Sequence, residues 1–201
     1  MLELHNRQGG IMTKSMNSDY HSSHVIELVK NRQRLDQDLI QKANIHQRDK
    51  AYRNALYWAI KNKSLHNMEI LIKHGTSLMV TPKTHALFYT ISCNNIEGLL
   101  FLIRKSININ TQNNQGETPL MKAIEKECMI SVQYLLAYGA DLYLMDDNHD
   151  MAIDYAERCK NKKIFEFVYY KEKYEKSKEI EADCSGCAIA QQSLCAIKKE
   201  F

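Results

Sequence analysis

Gly116-Glu117-Thr118-Pro119-Leu120-Met121-Lys122-Ala123, followed by Val132, Leu135 and Leu136 and closed by Gly139-Ala140-Asp141, decides the fold of this 201-residue chain. Thr118 is suited to cap a helix, because its hydroxyl can accept one of the backbone N–H groups left unpaired at a helix start. Pro119 then falls at the first helical position, where its missing N–H costs nothing. Leu120, Ala123 and Ile124 form one apolar face, and Val132, Leu135 and Leu136 form a second at helical spacing. Gly139 closes the second helix, since without a Cβ it enters a left-handed turn easily. The stretch is a turn, a helix and an antiparallel helix.

The pattern recurs. Leu120 aligns with Ile153, Asn113 with Asp146 and Ala123 with Ala156, each 33 residues on. Upstream, Asn54-Ala55-Leu56-Tyr57-Trp58-Ala59 and His85-Ala86-Leu87-Phe88-Tyr89-Thr90 take the same place, with Leu87 33 residues before Leu120 and Leu56 31 before Leu87. Gly75-Thr76-Ser77 and Ser106-Ile107-Asn108 match Gly139-Ala140-Asp141. Lys42-Ala43-Asn44-Ile45 matches once more, ending a helix expected to hold Leu35 and Leu39. The last second helix is expected to hold Ile164, Phe165 and Val168. Each unit is too small to bury its own apolar face, so a period near 33 predicts units stacked into a solenoid.

These motifs resemble ankyrin repeats over residues 22–170. The resemblance implies an all-α solenoid of about four to five helix-turn-helix repeats with β-turn fingers projecting from one edge. The units are a degenerate leading unit at 22–48, then 49–79, 80–112, 113–145 and 146–170. The family often places His after the Leu of Thr-Pro-Leu-His; here that position holds Tyr57, Phe88, Met121 and Asp154. Apolar packing is expected to replace its hydrogen bonds in three units. Ser106 and Lys42 stand where Gly is expected to close a helix, so a less regular array is expected.

The resemblance further implies a non-catalytic protein–protein interaction module, an adaptor, scaffold or inhibitor holding another protein on its fingers and concave face. The residues implied as partner-binding are Lys50, Arg53 and Lys61, then Thr81, Thr84 and Ser92, then Asn114, Gln115, Glu117 and Glu125, and last Asp147 and Asp150. They run from basic through neutral to acidic, a gradient expected to orient a partner and speed its capture. An alternative is a bacterial effector delivered into a host cell with a C-terminal targeting tail, since an irregular array with an extra tail resembles such proteins; poxviral ankyrin proteins share some of these traits.

Composition narrows the remaining classes. Only 2 Pro and 7 Gly occur, which favours helices, and a net charge of +3 is too small to argue for nucleic acid or an anionic membrane. No apolar run reaches the ~18 residues of a membrane span, and Met1–Gly10 lacks a signal pattern. Cys93, Cys128 and Cys159 sit singly, unlike a disulfide framework, so a reducing, cytoplasmic setting is expected, or the host cytoplasm for an effector. Residues 1–21 are expected to be a mobile segment. Residues 171–201 are expected to be a charged helical extension, with Glu172–Lys176 as a favourable pair, and a Cys-containing tail.

Candidates for chemistry are few. Cys184 and Cys187 form a Cys-x-x-Cys, but only Cys195 follows and the tail has no His, so a four-ligand zinc site is not expected. The three cysteines fall on one face of a helical tail and are candidates for reversible lipidation. A thiol-dependent enzyme built on them lacks a base and an oxyanion site. His74 reads as a helix-terminal residue and Trp58 as core. No catalytic residue, metal or cofactor is expected, and a monomer is.

Overall fold

The computed structural model of the chain describes residues 24–183. Ten helices and one hairpin follow in order: α1 (His24–Lys30), α2 (Gln37–Lys42), α3 (Ala55–Lys61), α4 (Leu65–Lys73), β1 (Met79–Thr81), β2 (Thr84–His85), α5 (Ala86–Ser92), α6 (Ile96–Arg104), α7 (Pro119–Glu125), α8 (Met129–Ala137), α9 (Ala152–Arg158) and α10 (Lys162–Asp183). The odd-numbered helices α1, α3, α5, α7 and α9 pack in sequence as a first layer. The second layer contains α4, α6 and α8, also neighbours in order, with α10 against α9. The architecture is the expected all-α solenoid, and its fingers pack on the first layer.

The local chemistry of α7 is as the sequence indicates. Thr118 Oγ1 accepts the Met121 N–H at 3.3 Å, Pro119 opens the helix, and the Thr118 N–H reaches Met121 Sδ at 3.3 Å. Thus Met121 supplies an acceptor as well as packing. In the last unit Asp154 Oδ2 accepts the Met151 N–H at 2.7 Å. The register holds along the stack: Leu56, Leu87 and Leu120 are fully buried, and so are Ala59, Thr90, Ala123 and Ala156 three residues later. These small residues sit where neighbouring first-layer helices approach.

Left-handed residues punctuate each unit at fixed places. Arg32, Lys63, Asn94 and Glu127 follow first-layer helices; Gly75, Ser106 and Gly139 follow second-layer helices; Tyr52, Gly116 and His149 sit in fingers. Ser106 therefore takes the strained place of glycine, at φ 56°. Lys42 does not. It is the last residue of α2, and the following Ala43 is extended at φ −106°, so the leading unit closes without a left-handed turn. Gly116 is required twice over, because a Cβ there would lie 2.8 Å from the backbone nitrogen of Asp147.

The leading unit departs from expectation in a second way. Leu35 is buried but belongs to the connection between α1 and α2, not to a helix. The reason is Asn67, a buried residue of α4. Its Oδ1 accepts the Leu35 N–H at 2.9 Å and its Nδ2 donates to Gln33 O at 2.8 Å. Asn62 Nδ2 adds a bond to Val29 O at 2.6 Å. Amide side chains from the next unit hold the connection open where helical bonds would otherwise form.

Caps on the second layer differ from unit to unit. Asn95 caps α6 by accepting the Gly98 N–H at 2.9 Å, and its Nδ2 reaches back to Ile60 O at 2.9 Å. The equivalent of Asn95 at α8 is Cys128, which makes no side-chain cap bond. An Asn there would meet the Cβ of Ser131, where α6 has Gly98, so Cys128→Ser, the cap that Ser64 gives α4, should raise stability by about 1 kcal/mol, read as a shifted denaturant midpoint.

His85 caps α5, its Nδ1 accepting the Leu87 N–H at 3.3 Å, so the capping form is neutral with its proton on Nε2. Burial holds this imidazole below the ordinary histidine value of 6.5. The unfolded chain therefore takes up the proton first. The stabilisation is complete above about pH 6.5 and is lost as pH falls through the lower folded value. Denaturant midpoints measured from about pH 7.5 down to about pH 5 should fall, and His85→Asn, which retains a capping acceptor, should flatten that slope.

At the far end α10 runs unbroken across positions 170 and 171. Ile164 and Val168 are buried, Phe165 is half-buried, and the Glu172–Lys176 pair closes at 2.6 Å. Cys184, Cys187 and Cys195, with residues 1–21, lie outside the described residues.

Candidate protein-recognition surface

One helical position per unit forms an exposed row along the first layer: Lys30, Lys61, Ser92, Glu125 and Arg158. Beside it runs a second row, Glu27, Trp58, Tyr89, Lys122 and Tyr155, of which Trp58, Lys122 and Tyr155 reach the fingers. The helices fix the spacing within each unit, and packing of the first layer fixes it between units. Side chains are thus presented at regular intervals on a rigid support.

The fingers are built by a repeated acidic or amide turn. Asp49 Oδ1 accepts from the N–H groups of Ala51 and Arg53, Asn113 Oδ1 from Gln115 and Glu117, and Asp146 Oδ1 from Asn148 and Asp150, all at 2.8 to 3.0 Å. The second finger is instead the β1–β2 hairpin. Two of these turn residues are tied to the facing row: the Trp58 indole donates to Asp49 at 3.2 Å, and the Tyr155 hydroxyl to Asp146 at 2.8 Å. Burial raises both carboxyl pKa values, but these hydrogen bonds outweigh it and hold Asp49 and Asp146 below the ordinary carboxylate range. Burial, then the bond to Asp146, pushes the Tyr155 hydroxyl up. Neighbouring fingers are stapled by Arg48, which donates to Met79 O at 2.9 Å, and by Gln112, which donates to Met145 O at 2.9 Å.

The residues implied as partner-binding fall into two groups. Lys50, Lys61, Ser92, Asn114, Gln115, Glu125 and Asp147 are exposed. Arg53, Thr81, Thr84, Glu117 and Asp150 are half-buried. Several of the latter have internal tasks. Arg53 Nε pairs with Asp49 at 2.8 Å, Asp150 pairs with Arg158 at 2.8 Å, and Glu117 accepts from Asn113 at 2.7 Å. Glu125 is also engaged, by Lys122. The charge series along the units is therefore partly neutralised by local pairs.

The structure adds residues that sequence spacing passed over. Trp58 is buried, as read, but Lys30, Arg53 and Lys61 stand over its ring at 5.4, 4.6 and 5.0 Å from the centroid. Tyr57 stacks on Tyr89 at 4.2 Å. Tyr52 is 67% exposed at the left-handed position that Gly116 fills two units later. The signal available was the 31-residue step that puts Lys30 level with Lys61 and Glu27 level with Trp58; assigning it needed the degenerate leading unit in register. Among the described residues, no three His, Cys, Asp or Glu side chains gather as a metal site, and no helix is long and apolar enough to cross a membrane.

Comparison with known proteins agrees with this geometry. Residues 23–113 match a family model described as ankyrin repeats (3 copies), and residues 102–156 match one described as ankyrin repeats (many copies). Protein glp-1 of Caenorhabditis elegans is 32% identical over 83 residues, covering 41% of this chain and 6% of that protein. The Fowlpox virus (strain NVSL) ankyrin repeat protein FPV216 is 30% identical over 120 residues, 56% of this chain and 40% of its own length. Its counterpart FPV219 is 36% identical over 61 residues, 30% of this chain and 14% of its own. The chain spans less than half the length of each of these relatives. The matched repeats, the period and the two-layer stack agree: the chain belongs to the ankyrin-repeat family.

Proposed function

We propose that this array is a non-catalytic recognition module, acting as adaptor, scaffold or inhibitor, that holds a protein partner along the first-layer row and the fingers. Ankyrin repeats are general protein–protein interaction modules, which supplies the class. The observation that supports this surface is the exposed row Lys30, Lys61, Ser92, Glu125 and Arg158, one residue from each first-layer helix. None of the five is buried, and their own bonds are surface ones, from Lys30 to Glu27, Lys122 to Glu125, Arg158 to Asp150 and Ser92 to the Phe88 carbonyl. A preordered surface of this kind loses little conformational entropy on binding.

Ser92 is the test position, being small, exposed and central in the row. Ser92→Arg should leave the melting temperature within a degree or so of the wild type, since exposed substitutions away from structural features change stability little. It should nevertheless abolish capture of the proteins that the wild-type chain retains from the native host. Equal capture by both forms would remove the row from the interface.

A further inference from the structure

We propose that the N-terminal end of the first layer, around Trp58, is a docking site for an acidic segment of the partner protein, its carboxylates bridging the cations that surround the indole. This rests on the reading of the array as a protein-recognition module and names the chemistry of what it takes. A cleft of ≈ 600 Å³ opens between α1 and the first finger, lined in part by Lys30, Gln47, Lys50 and Arg53. Lys61 extends the same patch from α3, and Arg48 borders it. Lys30, Lys50, Arg53 and Lys61 thus border a site that holds only two carboxylates, Glu27 and Asp49, while the Arg48 guanidinium is turned to the carbonyls of Tyr52 and Met79.

Those two are already committed. Glu27 pairs with Lys30 at 3.0 Å, and Asp49 with Arg53 at 2.8 Å and with the Trp58 indole. Lys50 and Lys61 have no carboxylate partner among the described residues, and Lys61 and Arg53 both stand within 5.0 Å of the Trp58 ring centroid. Positive charges gathered this closely repel one another, and an incoming carboxylate relieves that repulsion while forming charge-assisted hydrogen bonds.

A further observation favours a peptide over a polyphosphate. Tyr52 presents an exposed aromatic ring on the same finger, suited to an apolar side chain next to the acidic ones. The chain's own first 23 residues do not supply the charge, since Glu3 and Asp19 are matched there by Arg7 and Lys14.

Trp58 is the chain's single tryptophan, so tryptophan emission reports this site alone. A dodecapeptide of repeated Glu-Glu-Leu, titrated into the full chain at low ionic strength, should change that emission. Its Kd should lie at least about tenfold below that of the matching Gln-Gln-Leu peptide. The variant Lys50→Glu/Lys61→Glu alters two exposed side chains; it should melt like the wild type and lose the preference. Should it fail to fold, Lys61→Gln provides the same comparison. An unchanged emission, or an equal response to both peptides, overturns the proposal. So does tighter binding of an oligothymidine strand or of phosphatidylserine vesicles, either of which would assign the patch to phosphate. The recognition reading is scored separately by Ser92→Arg, which touches neither Trp58 nor its cations. A silent Trp58 with capture still blocked by Ser92→Arg removes the acidic-segment assignment alone.

Discussion

Leu120→Ala should destabilise the chain by about 2–5 kcal/mol, the range for truncating a fully buried leucine where the surroundings collapse only partly. Leu120 is fully buried, in the middle first-layer contacts where α7 lies between α5 and α9. The cavity would therefore weaken two unit–unit interfaces as well as the α7–α8 pair. Stability in a stacked array is approximately a sum of unit and interface terms, so a central lesion should divide the unfolding transition as well as lower it. Ile153, at the equivalent place in α9, is half-buried, because no first-layer helix follows α9 among the described residues. Ile153→Ala should cost less than half as much. Denaturant unfolding of both variants measures the difference, and equal losses would mean that the shared register is wrong.

Asn67→Ala should cost about 1–3 kcal/mol, chiefly by leaving the Leu35 N–H buried with no acceptor. The effect should be local. Asn67 ties the connection between α1 and α2 to α4, so its loss should release the leading unit before the rest. Hydrogen exchange is the discriminating measurement: amides of Val25–Val29 should lose protection while those of α7 and α8 keep theirs. Uniform loss along the array would indicate that the leading unit unfolds only with the whole. Trp58 should report the same event, since Lys30 of α1 stands over its ring at 5.4 Å.

The regular unit was the part most readable from sequence. Thr118, Pro119, Leu120 and Gly139 each act within a few residues of themselves, through a cap, a fixed φ, a buried face and a left-handed turn. Local physics of that kind survives translation from sequence to structure. The leading unit was less readable because Leu35 follows the apolar pattern, while Asn67, 32 residues later, decides its backbone. The exposed sites were less readable still. Arg53 and Glu117 look like free charges on a finger, yet Asp49 and Asn113 engage them four residues away through a turn.

The sequence by itself determined the two-helix unit, its period of 33, its stacking into a solenoid and thus the class of surface that the chain offers. Those follow from short-range backbone preferences and from apolar faces that no single unit can bury. Only the tertiary structure decided which polar side chains remain available. It spent Asp49, Asn113 and Asp146 on the fingers and set Lys30, Arg53 and Lys61 around Trp58. The reason is physical: a charge's role depends on which opposite charge, hydrogen-bond partner or aromatic face the neighbouring unit brings within a few ångströms of it.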